Sequence, residues 1–355
     1  MHKSPNVSSK IPTFALIATE TLTLITINRD MEKKDLRIVF MGTPEFAVGS
    51  LQRLVEGGYN VVAVVTQPDK PVGRHGSVLR ASAVKEYALA HGLPVLQPVK
   101  MKDPEFIEQL RSYNADIQAV VAFRMLPEAV WGMPRFGTFN VHAALLPQYR
   151  GAAPINWAVI NGETKTGVTT FFLDHDIDTG RIITQREFAI PDDADVEYVY
   201  DGLMQLGAEI CQDTIDMVLA TDGNVPSQPQ NEDVELLPAP KIFKETCEIK
   251  WDNTAKKVYD FVRGLSPYPG TWTTLAPKSD AAKVAPSVLK VFKTLKTGRA
   301  CDAAPGTLKV DHAHLFVATA DQWLEIIELQ AAGKKRMAAR DFLNGFKGVE
   351  EFEVK

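Results

Sequence analysis

The chain has 355 residues, which is enough for two domains that each bury a hydrophobic core. Its 45% hydrophobic and 23% charged residues are typical of a soluble globular protein, and no run approaches the roughly 18 apolar residues of a membrane helix. The three cysteines, Cys211, Cys247 and Cys301, are scattered and odd in number. They argue against a disulfide framework or a zinc site and favour a reducing, cytoplasmic compartment.

Residues 1–30 do not share the pattern of the rest of the chain. Segment 13–28 is rich in Thr, Ile and Leu, but Glu20 interrupts its apolar run and no small-residue cleavage pattern follows, which argues against a signal peptide. Shortly after Met31 the sequence enters a clean first strand. We therefore interpret residues 1–30 as an extension that is disordered or results from a wrongly chosen start codon.

Between residues 31 and 220, short apolar runs alternate with helix-like segments, which predicts a Rossmann-like α/β domain. Gly42 follows the first strand without a G-x-G-x-x-G pattern, which counts against a nicotinamide enzyme. The expected elements are strands 36–41, 60–65, 95–96, 116–122, 139–142, 166–173 and 181–188, and helices 44–55, 81–91, 103–112, 154–160 and 197–220.

Polar side chains end the strand at 139–142. Asn140 and His142 are two residues apart, so both lie on one face of that strand. A carboxamide and an imidazole at a strand end can polarise a carbonyl group and move a proton. A carboxylate on the turn after the next strand can orient the imidazole. An ordinary capped strand beside an acidic surface turn explains the same spacing. The carboxylates of that turn are Asp174, Asp176 and Asp178.

Residues 221–240 are polar and rich in proline, which predicts a linker. Beyond it, short strand-like runs recur around a single helix at 254–264 and predict a small β-barrel domain over residues 241–355. The expected strands are 248–251, 272–275, 288–294, 306–310, 314–318 and 323–329.

The two halves of the chain differ in charge. Residues 241–355 hold 19 Lys and Arg against 14 Asp and Glu, a balance of +5, whereas residues 1–240 have a balance of −10. A basic domain beside an acidic one favours a polyanionic partner. A merely solvated surface explains so small a difference about as well.

The motifs together resemble a known family. N-x-H at 140–142, L-L-P-x-Y-R-G-x-x-P-I at 145–155, T-G-V-T at 166–169 and D-x-D-T-G at 176–180 are similar to motifs of the folate-dependent formyltransferases. Many relatives carry serine where this chain has Ala144, so the chemistry does not need a hydroxyl group there. The resemblance implies that the catalytic residues are Asn140, His142 and Asp178.

The same resemblance implies 10-formyltetrahydrofolate as the cosubstrate and no metal. The carboxyl ends of strands in an open α/β sheet meet at one rim, so residues after strands 116–122 and 139–142 are expected to line one slot. Taken alone, Phe123 and Met125 would be interpreted as core residues. The expected folate-binding residues are Phe123, Met125, Leu126, Ala144, Leu145, Leu146, Pro147, Asp174 and Asp176.

Proline, glycine and basic residues in segment 66–80 predict a flexible loop. This segment resembles the insertion loop that methionyl-tRNA formyltransferases use on the acceptor end of tRNA, although His75 here splits its R-G pair. Segments 241–251, 263–272 and 329–345 resemble the OB-like C-terminal domain of that family. The expected tRNA-binding residues are Lys70, Arg74, Arg263, Lys334, Lys335 and Arg336.

The resemblance implies a monomeric enzyme that transfers a formyl group to the α-amine of methionyl initiator tRNA. Asn140 donates to the developing oxyanion, His142 can also stabilise it if the ring is protonated, and Asp178 orients His142 and assists proton transfer through water. Three alternatives are a formyltransferase for a small amine such as glycinamide ribonucleotide or an amino sugar nucleotide, a formyltetrahydrofolate hydrolase, and a non-catalytic RNA-binding module. The basic loop and C-terminal domain argue against the first, and the intact triad argues against the last.

A chain that begins at Met31 is expected to keep the melting temperature and activity of the full chain, because the sequence pattern breaks at that residue. Thermal unfolding and an activity assay on both chains test this expectation. A loss of either property would show that residues 1–30 pack on the rest of the protein.

Overall fold

A computed structural model describes residues 31–72, 78–279 and 284–355 of the protein. The predicted extension 1–30 and the predicted tRNA contact Arg74 lie outside these residues. The described strands form a first, mixed sheet, a second, antiparallel sheet and a short two-stranded ribbon.

The strands of the first half, in chain order, are β1 (Ile38–Gly42), β2 (Val61–Val65), β3 (Lys70–Val72), β4 (Val78–Arg80), β5 (Val95–Leu96), β6 (Ile117–Val121), β7 (Thr138–His142), β8 (Lys165–Phe172) and β9 (Ile182–Ala189). The first sheet has the spatial order β5-β2-β1-β6-β7-β8-β9. Strands β5, β2, β1, β6 and β7 run parallel to one another, and β8 and β9 are antiparallel to their neighbours. Strand β7, which carries Asn140 and His142, is therefore the last parallel strand before the antiparallel pair.

The helices of the first half are α1 (Glu45–Glu56), α2 (Ala83–Ala90), α3 (Pro104–Ser112), α4 (Glu128–Trp131), α5 (Pro154–Ile160) and α6 (Val196–Ala220). Strands β1 and β6 are buried along their whole length, as expected for parallel strands covered on both faces. The side chain of Asp195 accepts a hydrogen bond from the backbone N–H of Tyr198 and caps α6. This arrangement confirms the predicted Rossmann-like domain.

Segment 66–80, predicted as a flexible loop, contains the ribbon of β3 and β4. At its base the Lys85 ammonium lies 2.7 Å from the Asp69 carboxylate and lowers the pKa of Asp69. The side-chain amide of Gln97 also donates to this carboxylate, at 2.8 Å. The loop prediction missed these pairings because Pro and Gly residues predict a loop, and strands of only three residues leave no clear alternating pattern in the sequence.

The second half contains α7 (Ala255–Gly264), β10 (Thr271–Pro277), β11 (Ser287–Ala300), β12 (Leu308–Asp311), β13 (His314–Ala318), β14 (Gln322–Ala331), β15 (Met337–Ala338), α8 (Ala339–Gly345) and β16 (Phe352–Val354). The second sheet has the order β12-β13-β14-β11-β10-β16. The backbone N–H of Val354 donates to Gly306, which joins β16 to the chain just before β12 and nearly closes the barrel. The predicted C-terminal barrel is thereby confirmed, although the expected strand 248–251 is reduced to one bridge between Glu248 and Trp272.

Helix α7 joins the barrel to the first domain. It packs closely on α5 at Gly264, where an added Cβ atom would lie 2.6 Å from Ile160 Cγ1. The side-chain amide of Asn156 donates to the Gly264 carbonyl at 2.8 Å. Within the described part of the chain, no helix is long and apolar enough to cross a membrane.

Arg263, a predicted tRNA contact, lies at this junction and is only 7% exposed. Its Nε donates to the Asp260 carboxylate at 2.8 Å, and its Nη1 donates to the carbonyl of Ala194 at 2.7 Å. A guanidinium that is buried and bonded in this way is poorly placed to meet a phosphate group. The structure therefore argues against the predicted role of Arg263 and assigns this residue to the junction between the domains.

Arg263→Ala is expected to lower the free energy of unfolding by about 3 kcal/mol, because it leaves the buried Asp260 carboxylate without its guanidinium. Lys256 also binds Asp260, but its side chain is 60% exposed, so the control Lys256→Ala should cost under about 1 kcal/mol. Denaturant unfolding measures both changes. Weaker RNA binding at unchanged stability in Arg263→Ala would instead restore the predicted phosphate contact.

Candidate active site

His142 ends β7 as a buried side chain whose orientation is set by a backbone group. Its Nε2 lies 2.9 Å from the carbonyl oxygen of Tyr149. A carbonyl oxygen only accepts hydrogen bonds, so Nε2 carries a hydrogen. In the neutral ring the lone pair is therefore on Nδ1, and Nδ1 is the atom that can take up a proton.

Asp178 supplies the carboxylate beside that atom. Its Oδ2 is 3.8 Å from His142 Nδ1, which is too long for a direct hydrogen bond. The same oxygen accepts a hydrogen bond from the backbone N–H of Gly151 at 2.9 Å. Asp178 can therefore stabilise the imidazolium electrostatically, whereas the orientation that we predicted from Asp178 comes from the Tyr149 carbonyl.

Asn140 lies two residues before His142, on the same face of β7, and its side chain is partly exposed. Among the described residues, the Asn140 carboxamide makes no hydrogen bond to another group of the protein. Its N–H donors are thus available to a ligand at the strand end, as a group that stabilises a developing oxyanion must be.

Tyr149 is anchored at each of its polar groups. Its backbone N–H donates to Leu237 at 2.6 Å, and its hydroxyl donates to the Glu163 carboxylate at 2.6 Å. Burial and this hydrogen bond raise the pKa of the Tyr149 phenol, so that the hydroxyl stays protonated. Its backbone lies in the left-handed region, with φ of 61°, and turns the carbonyl toward the imidazole. Sequence reasoning missed this role because it depends on a backbone atom.

The segment after β7, which holds four of the predicted folate residues, is tied to β8 and β9. The Thr169 hydroxyl donates to the Ala144 carbonyl at 2.6 Å and accepts from the Leu146 N–H at 3.1 Å. The Gln185 amide donates to the Leu146 carbonyl at 2.8 Å. Ala144 and Leu146 are buried, whereas Leu145 and Pro147 are partly exposed. The latter two are the side chains of this segment that a ligand can reach.

The predicted folate residues after β6 differ in exposure. Phe123 and Leu126 are partly buried and pack with Leu173 on a cluster beneath the rim, whereas Met125 is 73% exposed. Ala122 precedes them with φ of 46° and turns the chain at the strand end. The role of these three residues in folate binding stays a prediction.

Asp174 and Asp176 lie on the turn between β8 and β9, and both are exposed. Asp174 accepts hydrogen bonds from the Thr179 hydroxyl at 2.7 Å and from the Asp176 N–H at 3.2 Å. Asp174 therefore organises the turn that carries Asp178. The Asp176 side chain extends into solvent.

The predicted linker contributes directly to the site, which the sequence analysis did not anticipate. The side-chain amide of Gln230 donates to the carbonyls of Asp178 and Gly180 at 2.8 and 2.9 Å. Its oxygen accepts from the Arg150 guanidinium at 2.8 Å. The polar, proline-rich composition of residues 221–240 obscured this role, since the same composition is typical of a spacer.

The predicted tRNA residues that the structure describes lie in different environments. Lys70 on the ribbon, and Lys334 and Lys335 after β14, are exposed and make no ion pair within the described residues. The Arg336 guanidinium is bound to Glu328 and lies over the Phe292 ring, 4.6 Å from its centroid. Lys334 and Lys335 are thus the free cations of this cluster.

The arrangement around Asn140, His142 and Asp178 combines an amide donor, a ring nitrogen that can take up a proton and a carboxylate that stabilises the resulting charge. Such groups suit acyl transfer to an amine, in which a carbonyl oxygen gains charge and the attacking nitrogen loses a proton. Within residues 31–72, 78–279 and 284–355, no group of three His, Cys, Asp or Glu side chains is placed to hold a metal ion. The fold and the site thus define an acyl-group transferase.

Comparison with protein families narrows this class. The sequence pattern of the family "Formyl transferase" matches residues 36–215, and that of "Formyl transferase, C-terminal domain" matches residues 241–347. The chain belongs to the formyl transferase family.

Relatives with assigned functions extend over nearly the whole chain. The methionyl-tRNA formyltransferase of Parabacteroides distasonis is 59% identical over 329 residues, which cover 91% of this chain and 100% of that protein. The protein of the same name from Flavobacterium johnsoniae is 45% identical, with coverage of 91% and 100%.

Solved structures share the fold at low sequence identity. WlaRD, a sugar 3N-formyl transferase, superposes with a TM-score of 0.59 at 17% identity, over 84% of this chain and 99% of WlaRD. HypX from Aquifex aeolicus in complex with tetrahydrofolic acid gives a TM-score of 0.55 at 19% identity, over 88% of this chain and 48% of HypX. Both likenesses concern the fold alone.

Asn140→Ala is expected to lower kcat for formyl transfer about a hundred- to a thousandfold, because it removes one oxyanion donor. Asn140→Asp keeps the size of the side chain without its N–H donors and should lose a similar factor. Circular dichroism and thermal unfolding establish that both variants fold. A folded Asn140→Ala variant within threefold of the wild-type kcat would remove Asn140 from the chemistry.

Proposed function

We propose that the protein is a methionyl-tRNA formyltransferase, which transfers the formyl group of 10-formyltetrahydrofolate to the α-amine of methionyl initiator tRNA. The observation that carries the proposal is the 59% identity to a methionyl-tRNA formyltransferase over that protein's full length. The geometry around Asn140, His142 and Asp178 agrees with this activity, since it suits acyl transfer to an amine.

The roles of the three residues follow from their atoms. The Asn140 amide donates to the oxygen that gains negative charge, and His142 Nδ1 takes up the proton that the attacking amine loses. The imidazolium then returns this proton to the tetrahydrofolate nitrogen as the bond between that nitrogen and the formyl carbon breaks. His142 Nε2 cannot serve, because its hydrogen is bound to the Tyr149 carbonyl, 2.9 Å away. The Asp178 carboxylate, 3.8 Å from Nδ1, stabilises the imidazolium that results.

The cosubstrate, when bound, supplies the one-carbon group. Phe123, Met125 and Leu126 after β6, together with Leu145 and Pro147 after β7, offer it apolar side chains at the rim of the sheet. Ala144 and Leu146 are buried and contribute through backbone and packing. Asp174 contributes by holding the turn, and Asp176 is open to the polar end of the ligand.

The acceptor is proposed to contact both halves of the chain. Lys70 and Arg74 serve the acceptor end of the tRNA, and Lys334 and Lys335, with Arg336 beside them, serve its phosphates. In this assignment residues 31–220 catalyse formyl transfer, residues 221–240 connect the two domains and residues 241–355 bind the tRNA. A monomeric enzyme in the cytoplasm fits this division.

Transfer of labelled formyl from 10-formyltetrahydrofolate to charged initiator tRNA tests the function directly. Free methionine, an amino sugar nucleotide and water are the competing acceptors. Methionyl-tRNA is expected to be formylated with the highest kcat/KM. Preferential formylation of a small amine, or hydrolysis alone, would overturn the proposal in favour of that acceptor.

Reversal of Lys334 and Lys335 to Glu is expected to weaken tRNA binding most strongly at low salt and to leave folate binding unchanged. Each lost phosphate contact releases fewer counterions and should lower the salt slope of binding by about one unit. The matched control reverses Lys100 and Lys102, which are also exposed and lie before α3. Equal effects in both pairs would mean that net charge rather than a specific contact acts on the tRNA.

Arg74→Ala is expected to lower kcat as well as tRNA affinity. If Arg74 positions the acceptor end, its loss leaves the amine less well aligned for attack. Steady-state kinetics with methionyl-tRNA separate kcat from KM. Unchanged values in Arg74→Ala, together with unchanged binding after reversal of Lys334 and Lys335, would favour a small amine as the acceptor.

A further inference from the structure

Gln230 lies in the predicted linker, residues 221–240, and binds two parts of the active site. Its Nε2 donates to two backbone carbonyls on the turn between β8 and β9, those of Asp178 at 2.8 Å and Gly180 at 2.9 Å. Its Oε1 accepts from Nε and Nη2 of Arg150, at 3.1 and 2.8 Å. One end of this amide thus binds the backbone of the turn that carries Asp178, and the other end binds the side chain of Arg150.

The turn that Gln230 holds needs such support. Asp178 has φ of 56°, in the left-handed region that residues other than glycine rarely adopt. A backbone in this region persists only when its surroundings hold it there. The neighbouring Gly180 lies so close to Phe172 that an added Cβ atom would be 1.7 Å from the Phe172 carbonyl oxygen.

The segment on the other side of Gln230 is the one that orients the imidazole. Arg150 directly follows Tyr149, whose carbonyl binds His142 Nε2 at 2.9 Å. Through the Arg150 side chain, Gln230 therefore connects the segment that sets the ring of His142 to the backbone of the turn that carries Asp178. The separation of 3.8 Å between the ring and the carboxylate depends on the relative position of these two segments.

We propose that Gln230 is a positioning residue for formyl transfer, which holds the Asp178 carboxylate in place opposite His142 Nδ1. The inference rests on the proposed function, because it assumes that Asp178 acts in the reaction. It gives the predicted linker a catalytic purpose besides the connection of two domains. Gln230 itself does not touch the reacting atoms.

Gln230→Glu keeps the acceptor for Arg150 and removes both donors to the turn, and Gln230→Met removes all of these bonds without adding charge. Two lost hydrogen bonds between neutral groups correspond to a decrease in kcat of about 10- to 100-fold. KM for both substrates is expected to stay within about threefold, since neither variant changes a residue of the binding surfaces.

The matched control is Gln148→Glu. Gln148 also binds the predicted linker, because its amide donates to the Glu235 carbonyl at 2.9 Å, but it makes no hydrogen bond to the turn that carries Asp178. This control is expected to keep kcat within threefold of wild type. An equal loss of kcat in Gln148→Glu would show that general attachment of the segment, rather than the position of Asp178, matters.

A double-mutant cycle decides whether Gln230 acts through Asp178. In an Asp178→Asn background, Gln230→Met is expected to lower the residual kcat by less than threefold, because the carboxylate that it positions is already absent. Independent, multiplied losses in the double variant would overturn the proposal.

Hydrogen exchange provides a test that does not depend on activity. The Gly151 N–H donates to Asp178 Oδ2, so its exchange should accelerate about tenfold or more in Gln230→Glu and not in Gln148→Glu. Unchanged exchange and unchanged kcat in the Gln230 variants would refute the positioning role. A wild-type chain that formylates no methionyl-tRNA would refute the proposed function instead. Hydrogen exchange at the Gly151 N–H would still test whether Gln230 holds the Asp178 turn.

Discussion

The hydrogen bond between His142 Nε2 and the Tyr149 carbonyl is the interaction on which the site depends. It assigns the hydrogen to Nε2 and leaves Nδ1, opposite Asp178, as the atom that can exchange a proton. The bond exists because the chain after β7 turns back on the strand end from which it came. Thr169 and Gln185 hold the start of that turn, and the hydrogen bond from the Tyr149 N–H to the Leu237 carbonyl holds its end. Strands, turn and linker thus act together to fix the orientation of the His142 ring.

Asp178 reaches His142 because the turn that carries it folds back along the sheet. Parallel strands β6 and β7 bring their carboxyl ends to one rim, where open α/β sheets bind ligands. Strand β8 runs antiparallel to β7 with Phe172 opposite Phe139, so the turn between β8 and β9 starts beside the amino end of β7 and returns to place Asp178 next to His142. The left-handed backbone at Asp178 and the hydrogen bond from the Gln230 amide to the Asp178 carbonyl hold the turn in this position near His142. The position of Asp178 is therefore a property of the assembled fold.

Much of the fold could be predicted from sequence because hydrophobic periodicity records which faces are buried. The runs at β1 and β6 and the period of two at Asn140 and His142 carry such a record. The role of Tyr149 leaves no such trace, since any residue supplies a carbonyl. The tRNA contact predicted for Arg263 came from the resemblance to a family, whereas only packing shows that Arg263 and its partner Asp260 are both buried. Gln230 was hidden by the composition of a linker.

The connection between the two domains has a consequence for how a large acceptor would act. Arg263 and Asn156 bond across the junction, and residues 237–239 bond to the segment that orients His142. The barrel and the imidazole are therefore attached to the same short stretch of chain, from Tyr149 to α5. A macromolecule bound to the barrel would meet the strand end at a defined distance and angle, so its binding energy would be used to align the amine. The cations of the barrel would then contribute to catalysis through orientation, and charge stabilisation would be left to the predicted catalytic residues Asn140, His142 and Asp178.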